Sequence, residues 1–288
     1  MLGAPDRLHG TPGRFEVALC NACGMGVTLP PARAEELAAF YPGGYSPYEL
    51  PSGFLRLVSG AIQSLQRAQA LRTAPLECLT AMTPGRLLDV GCGRGDLGAW
   101  MIGRGWSVTG VEPSPGACEV ARSRGLDARV GVLAEAGIEQ GAYDAVVFRQ
   151  SLEHVPEPAA DIRRAHAALR PGGVVIVSVP NFGGWQRRRF GGAWFHLDLP
   201  RHRTHFDAGS LRALLARGGF VEVQTSTSTT PVGLPASIQY ALAGRCMFPQ
   251  GLSLRAAVAA CALLMPLTWL ANRLAGEGDV LHAVARRA

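Results

Sequence analysis

The sequence predicts an α/β protein, a doubly wound sheet of mainly parallel strands with helices on both faces and an added helical segment near the C-terminus. Three observations predict it. From residue 84 onward, short apolar runs alternate with helical stretches of ten to fifteen residues, the pattern of parallel strands joined by crossover helices. The first of those runs, "RLLDV", opens directly into the glycine-rich turn "GCGRGDLG", where a doubly wound sheet places its ligand loop. Finally, 288 residues, 48% hydrophobic and 17% charged, suffice to bury one generous domain with appendages.

Residues 1–50 are rich in Pro and Gly and hold the single CxxC of the chain, Cys20 and Cys23. Structural zinc takes four such ligands. With His9 as the one nearby extra donor, a metal-free turn is expected. Across 53–82, Phe54, Leu57, Val58, Ile62, Leu65 and Leu71 recur at helical spacing with arginines between them, an amphipathic helix suited to cover a sheet edge or cap a pocket. Strands are expected at 86–90, 107–112, 128–132, 142–149, 173–180 and 220–226, with helices at 96–103, 114–124, 158–170 and 208–218. Residues 235–276 contain a sixteen-residue uncharged run, "AAVAACALLMPLTWLA", interrupted by Pro266. It is shorter than the ~20 residues of a membrane span. Helices packed over the domain or against a second subunit are expected there, with peripheral membrane contact through 254–275 as the other reading. The terminal "DVLHAVARR" returns to strand-like alternation. The chain thus divides into 1–50, a helical lid at 51–83, a ligand-binding domain at 84–233, and an apolar helical insertion with a final strand at 234–288.

The net charge is +6, and all 28 basic residues are arginines. They are scattered except for Arg187, Arg188 and Arg189 and the pair Arg201 and Arg203 flanking His202, which reads as a solvated basic loop; no nucleic-acid partner is expected. Seven cysteines at irregular spacing do not form a disulfide framework. The N-terminus "MLGAPDRLHG" lacks the charged start and apolar stretch of a signal peptide. Both points lead to a cytoplasmic expectation.

Two glycine registers compete for the loop. Gly93, Gly95 and Gly98 satisfy the GxGxxG spacing of a dinucleotide fingerprint, with Glu112 nineteen positions after the first. That match begins two residues late, however, because the position directly after the strand is Gly91, and the register starting there fails at Asp96. The other register is Asp89-x-Gly91-x-Gly93-x-Gly95. A carboxylate at Asp89 would repel a pyrophosphate but favour an ammonium or a sulfonium, the polarity of S-adenosylmethionine.

At this point the chain resembles a class I S-adenosylmethionine-dependent methyltransferase. "LLDVGCGRGDLG" resembles the first motif of that family, "VTGVEPS" the second, "YDAVVFRQSLEHVPEP" the fourth, and "LRPGGVVIVSVPN" the strand after it. The later segment "HLDLPRHRTHFDAGSLRALLARGGFVEV" is similar to the methyltransferase-23 subgroup and to ubiquinone-biosynthesis O-methyltransferases. "CNACGMGVTLPPARAEELAAFYPGGYSPY" resembles the second half of the zinc-ribbon-like piece found in that subgroup, whose first CxxC pair is absent here.

The resemblance implies a Rossmann-like sheet of seven strands, the last antiparallel, and S-adenosylmethionine as cofactor. It places Gly91, Cys92, Gly93 and Gly95 against the methionyl and ribose parts, Asp89 at the methionyl amino group or orienting the loop, and Glu112, followed by Pro113, on the ribose hydroxyls. Arg149 and Gln150 would lie beside the cofactor. Glu153 and His154 would face the acceptor, with His154 as general base; His202 and His205 are second candidates. Ubiquinone-type enzymes can bind a divalent metal through ExxEH. Here Gln150 occupies the first Glu position, and no metal is expected. The aromatics Trp185, Phe190, Trp194 and Phe195 either stack on the acceptor or anchor their loop. The acceptor is expected to be a small molecule, methylated at oxygen, with a glycan or lipid-linked compound in scope. Two alternatives remain at this level: an NAD(P)-dependent oxidoreductase using the Gly93 register, and a non-catalytic module that binds S-adenosylmethionine.

Overall fold

The computed structural model describes residues 2–31, 40, 74–246 and 252–288. The chain opens with three short antiparallel strands, β1 (Leu2–Ala4), β2 (Phe15–Leu19) and β3 (Gly26–Leu29). The CxxC forms the β2–β3 turn, closed by Cys20 N–H donating to Met25 O (2.9 Å) and Gly24 N–H to Cys20 O (2.8 Å). Of the helix expected over 53–82, the part before residue 74 lies outside the described residues; α1 (Ala74–Ala81) is its end.

The central sheet follows: β4 (Arg86–Val90), β5 (Ser107–Glu112), β6 (Asp127–Val130), β7 (Tyr143–Arg149), β8 (Leu169–Pro180), and later β10 (Phe220–Ser228) and β11 (Val280–Arg287). The spatial order is β10-β11-β8-β7-β4-β5-β6. Strands β4 to β8 pair in parallel, and β11 is antiparallel to both β8 and β10. The strand order reverses at β4, between β5 and β7, which creates the crevice where such sheets bind ligands. Crossover helices are α2 (Asp96–Ile102), α3 (Pro115–Ser123), α4 (Pro158–Ala168) and, after the loop region, α6 (Ala208–Arg217).

Local chemistry sets the boundaries. Ser114 caps α3 by accepting from Ala117 N–H, with Pro115 in the first turn, where its missing N–H is harmless. Asp207 and Ser210 form a reciprocal capping box at α6. Strand β6 stops at Val130, short of the expected 132, because Gly131 turns to φ +132°. Strand β8 starts at Leu169, ahead of the expected 173, because Leu169 already pairs with Tyr143 before the register shifts.

Both faces of the sheet are buried, which is why its strands read as continuous apolar runs. Leu88, Val90, Val146, Phe148, Val175 and Val177 pack on one face, and Leu87, Ala145, Val147, Val174 and Ile176 on the other. Alternate residues of each strand go to opposite cores.

A second, four-stranded sheet joins the N-terminal residues to a distant part of the chain. Its order is β1-β2-β3-β9, and β9 (Thr204–His205) comes from the far segment "PRHRTHF". The N-terminal piece is therefore welded to the loop region after β8, which also contains the short helix α5 (Trp185–Phe190). Ala4, Phe15, Val17, Phe40, Phe182, Trp194, Leu197 and Leu199 form one shared core between them. Trp194, at 1% exposure, is an anchor of that core.

The insertion between β10 and β11 consists of α7 (Gly233–Ala243) and α8 (Leu252–Ala275). Helix α8 continues past Pro266 and spans 24 residues, longer than the interruption suggested. Among the described residues no helix is long and apolar enough to cross a membrane.

Candidate active site

The glycine turn after β4 follows the register that starts at Gly91. Gly91, Gly93 and Gly95 all take left-handed conformations, with φ of +75°, +53° and +76°, which L side chains rarely adopt. Gly91 and Cys92 N–H both donate to Val111 O (2.8 and 3.1 Å), and Gly95 N–H returns to Cys92 O (2.9 Å), so the loop folds back across the end of β5 and feeds α2. A side chain at Gly91 would put its Cβ 2.4 Å from Ser151 Cβ. Gly98, the last glycine of the rival register, instead faces Leu126, whose Cδ2 would lie 2.4 Å from an added Cβ. Gly98 therefore permits helix packing and sits away from the loop.

Glu112 ends β5, almost wholly buried, and its carboxylate joins two turns: Oε2 accepts from Gly93 N–H (3.1 Å) and Oε1 from Ser114 N–H (2.9 Å). Pro113 follows it at the surface. Asp89 is buried beneath the loop. Burial raises its carboxyl to about 6, with the Glu112 charge adding to that rise and the Arg149 charge opposing it. Cys92, the other residue expected in the cofactor loop, turns its side chain inward. Its Sγ points into the core, where an added Cβ on Gly110 would meet it at 2.6 Å, and burial, with the charges of Asp89 and Glu112, pushes the thiol far up. The same sulfur donates to the Gly93 carbonyl at 3.7 Å, bracing the turn from beneath.

Arg149 is the last residue of β7 and Gln150 the first beyond it, and both are exposed. Gln150 adopts φ +54° and donates its N–H to Ser178 O (2.7 Å). Ser151, which the sequence did not single out, closes the gap between this segment and the glycine turn: its Oγ donates to Val90 O at 2.6 Å. The next residues, Leu152–His154, form a 3-10 turn and so hang directly off the loop.

Glu153 and His154 meet the loop after β8 here. His154 Nδ1 lies 3.1 Å from Arg201 O, and His202 Nδ1 2.9 Å from His196 O. A carbonyl can only accept, so each Nδ1 carries the proton and each Nε2 the lone pair. The two rings meet edge to face with centroids 4.7 Å apart. Burial lowers the pKa of both, and His154 and His205 push His202 further in the same direction. Glu153 is 1% exposed, and neither carboxylate oxygen has a hydrogen-bond partner among the described residues. Burial, reinforced by the Asp198 charge, raises it to about 8.

Glu153, His154 and His202 each offer a ligand atom, and these atoms lie within 4.8 Å of one another. An orphaned buried carboxylate facing two imidazoles fits a divalent cation, and the Nδ1 bonds to carbonyls are the orientation that ligating histidines need. The expectation of no metal rested on Gln150. The structure supplies a third donor from elsewhere in the chain, His202.

This corner is held by Arg201, whose fully buried guanidinium is paired with Asp6 (2.7 and 3.0 Å) and Asp198 (2.6 Å). His205, the other second candidate, bonds Thr28 Oγ1 through Nε2 (2.9 Å) and ties β9 to β3. Arg201 and Asp6 are 195 positions apart, and no local signal joins them.

Sheet order, switch point, glycine turn and the acid ending β5 together define a class I methyltransferase fold. The chain belongs to the methyltransferase-23 family: the family model, described as a methyltransferase domain, matches residues 64–225. A ubiquinone biosynthesis O-methyltransferase of Alkalilimnicola ehrlichii is 38% identical over 112 residues, 36% of this chain and 45% of that protein. The chain thus spans about half the length of the curated relatives it matches. Among solved structures, an S-adenosylmethionine-dependent methyltransferase from Mesorhizobium loti superposes with a TM-score of 0.51 at 22% identity, covering 75% of this chain and all (100%) of that one. A phosphoethanolamine N-methyltransferase of Haemonchus contortus, in complex with S-adenosyl-L-methionine, gives a TM-score of 0.53 at 17% identity over 88% of this chain and 56% of that one. At these identities the structural likeness speaks for the fold.

Proposed function

We propose that this protein transfers a methyl group from S-adenosylmethionine to a hydroxyl oxygen of a small-molecule acceptor. The observation that carries the reading is Ser151, which seats the Glu153–His154 turn directly on the glycine loop (Oγ to Val90 O, 2.6 Å). A cofactor lying over Gly91 and Gly93, with its ribose hydroxyls on Glu112, would have its sulfonium beside that turn. The positive sulfur and amino group suit the buried Asp89, and the close glycine backbone suits a ligand without phosphate.

Methyl transfer is an in-line displacement in which the cofactor's carbon–sulfur bond breaks as the carbon–oxygen bond forms. The protein supplies alignment and desolvation. A hydroxyl must lose its proton in that step. His154, kept neutral by burial, is the base we assign, its orientation fixed by the Arg201 carbonyl. Oxygen is favoured over nitrogen because related proteins are named O-methyltransferases and because a base is built into the site. A second reading rests on the orphaned Glu153 carboxylate: Glu153, His154 and His202 would hold a divalent cation, which would polarise the acceptor oxygen.

Calorimetric titration with S-adenosylmethionine, S-adenosylhomocysteine and NADH tests the cofactor. The first two are expected to bind, and Glu112→Ala to weaken them about tenfold or more, since charge-assisted hydrogen bonds are lost. Binding of NADH alone would overturn the assignment. His154→Ala should then lower the methylation rate of hydroxylated acceptors roughly 10²- to 10⁴-fold while leaving S-adenosylhomocysteine binding intact. Titration with Mn²⁺ or Zn²⁺, compared with Glu153→Gln, decides the cation: no heat with the native protein rules that second reading out.

A further inference from the structure

Over residues 263–275, where its side chains are described, helix α8 is inside out. Its buried side is polar: Thr268 is completely buried, and Asn272, 3% exposed, joins four partners. Asn272 Oδ1 accepts from Trp185 Nε1 (2.7 Å) and Gln186 Nε2 (3.0 Å), while its Nδ2 donates to Thr229 Oγ1 (2.9 Å) and Asp279 Oδ1 (3.2 Å). Its apolar side faces outward. Leu263, Leu267, Leu270 and Leu274, spaced four, three and four residues apart, form one stripe, exposed by 79%, 59%, 47% and 80%. On neighbouring α7, Leu242 is 84% exposed. A soluble domain ordinarily turns such a stripe inward, and contiguous exposed apolar surface marks an interaction site.

Charge selects the occupant. Residues 231–276 contain Arg245, Arg255 and Arg273 and no acidic residue. A second copy would bring the same positive sign to the face, whereas an anionic bilayer brings the opposite one. The exposed aromatic Trp269 lies under the Arg273 guanidinium (5.0 Å to the ring centre), an amphipathic pair of the kind that seats at the headgroup level. The insertion follows the end of β10 and leads into β11, where Val280 pairs with Pro180 at the end of β8. It therefore stands at the same carboxyl edge of the sheet as the glycine loop.

We infer that the outward faces of α7 and α8 form a docking surface for an anionic lipid membrane, on which the protein lies without spanning it. The surface does not depend on the proposed methyl transfer, and its test reads no methylation. Flotation of the full chain with phosphatidylcholine vesicles, with and without phosphatidylglycerol, measures it directly. Binding to the phosphatidylglycerol vesicles is expected, weakened by salt, and reduced about tenfold or more by Leu267→Glu with Leu270→Glu, because buried leucines carry most of such an association. Arg273→Gln leaves the apolar stripe untouched and should lessen only the preference for phosphatidylglycerol. Unchanged melting and S-adenosylhomocysteine binding would establish that the variants fold. Failure to float with either vesicle, or equal flotation of native and double-variant protein, overturns the inference. So does a dimer in light scattering that the double variant disperses, for then a second copy covers the face.

Discussion

The central sheet and the cap built from β1–β3, β9 and the loop after β8 are stabilised by different chemistry. In the sheet, neighbouring elements bury aliphatic side chains on both faces. In the cap, a small aromatic core is pinned by polar contacts between distant parts of the chain: Arg201 with Asp6 and Asp198, and Thr28 with the His202 carbonyl and the His205 ring. Apolar burial is tolerant of its partner, while a buried guanidinium is not. The proposed chemistry sits where the two meet, with the cofactor loop on the rigid sheet and the candidate base held by the cap.

The largest effect is expected from Arg201→Met, which strands Asp6 and Asp198 without their cation in a dry site. Breaking a buried pair from one side costs about 3–5 kcal/mol. If the comparison is right, limited proteolysis should open the N-terminal strands first while far-UV circular dichroism still reports the sheet. Simultaneous loss of both would mean that cap and sheet are one cooperative unit.

Next comes Leu88→Ala, a cavity in the sheet core at a fully buried position, at about 2–5 kcal/mol. Chemical denaturation followed by tryptophan fluorescence should show one lowered midpoint, with S-adenosylhomocysteine binding lost in the same transition.

Acid provides a smaller, graded perturbation. His282 is held between Ser178 Oγ (2.8 Å) and Ser228 Oγ (2.7 Å) across three strands, and burial lowers it from 6.5 to about 4. The unfolded chain takes up this proton as the pH falls below 6.5 and the folded one does not. Stability present above that pH is therefore lost progressively down to about 4, by on the order of 1.4 kcal/mol per pH unit. His282→Gln should flatten this part of a stability–pH curve; an unchanged slope would place the acid sensitivity elsewhere, at His205, lowered to about 3, or at His202, which burial and its neighbouring histidines also hold well below 6.5.

The smallest effect sharpens the contrast in ion pairing. Arg286 and Glu222, 3.3 Å apart on the sheet edge, are more than half exposed. Glu222→Gln should change stability by less than about 1 kcal/mol, against the several expected at Arg201. Comparable losses at the two sites would remove burial as the deciding factor.

The arrangement of the proposed cofactor end was legible in the sequence. Asp89, Gly91, Gly93, Gly95 and Glu112 lie on one strand–turn–helix and the end of the next strand, so their relation follows from short-range geometry once the parallel sheet is recognised. The direction of the Cys92 side chain was not legible, because it depends on Gly110 of β5 leaving room for its sulfur. Ser151 escaped notice because a serine next to a motif carries no pattern; its role exists only where β4 and β7 lie side by side. The 182–206 aromatics could be read as acceptor-binding or as anchors, and Trp194 is an anchor because an N-terminal sheet arrives to cover it.

The sequence by itself determined the class of fold, the strands and crossover helices, and the loop register, because alternation, helical periodicity and glycine's left-handed backbone act over a few residues. Tertiary structure alone decided that β9 completes the N-terminal sheet, that His202 joins Glu153 and His154, and that the apolar side of α8 faces outward. Those outcomes turn on which distant polar groups find each other. Asn272 is an ordinary helix residue until Trp185, Gln186, Thr229 and Asp279 surround it, and satisfying that one buried amide fixes which side of the helix is left to meet the outside.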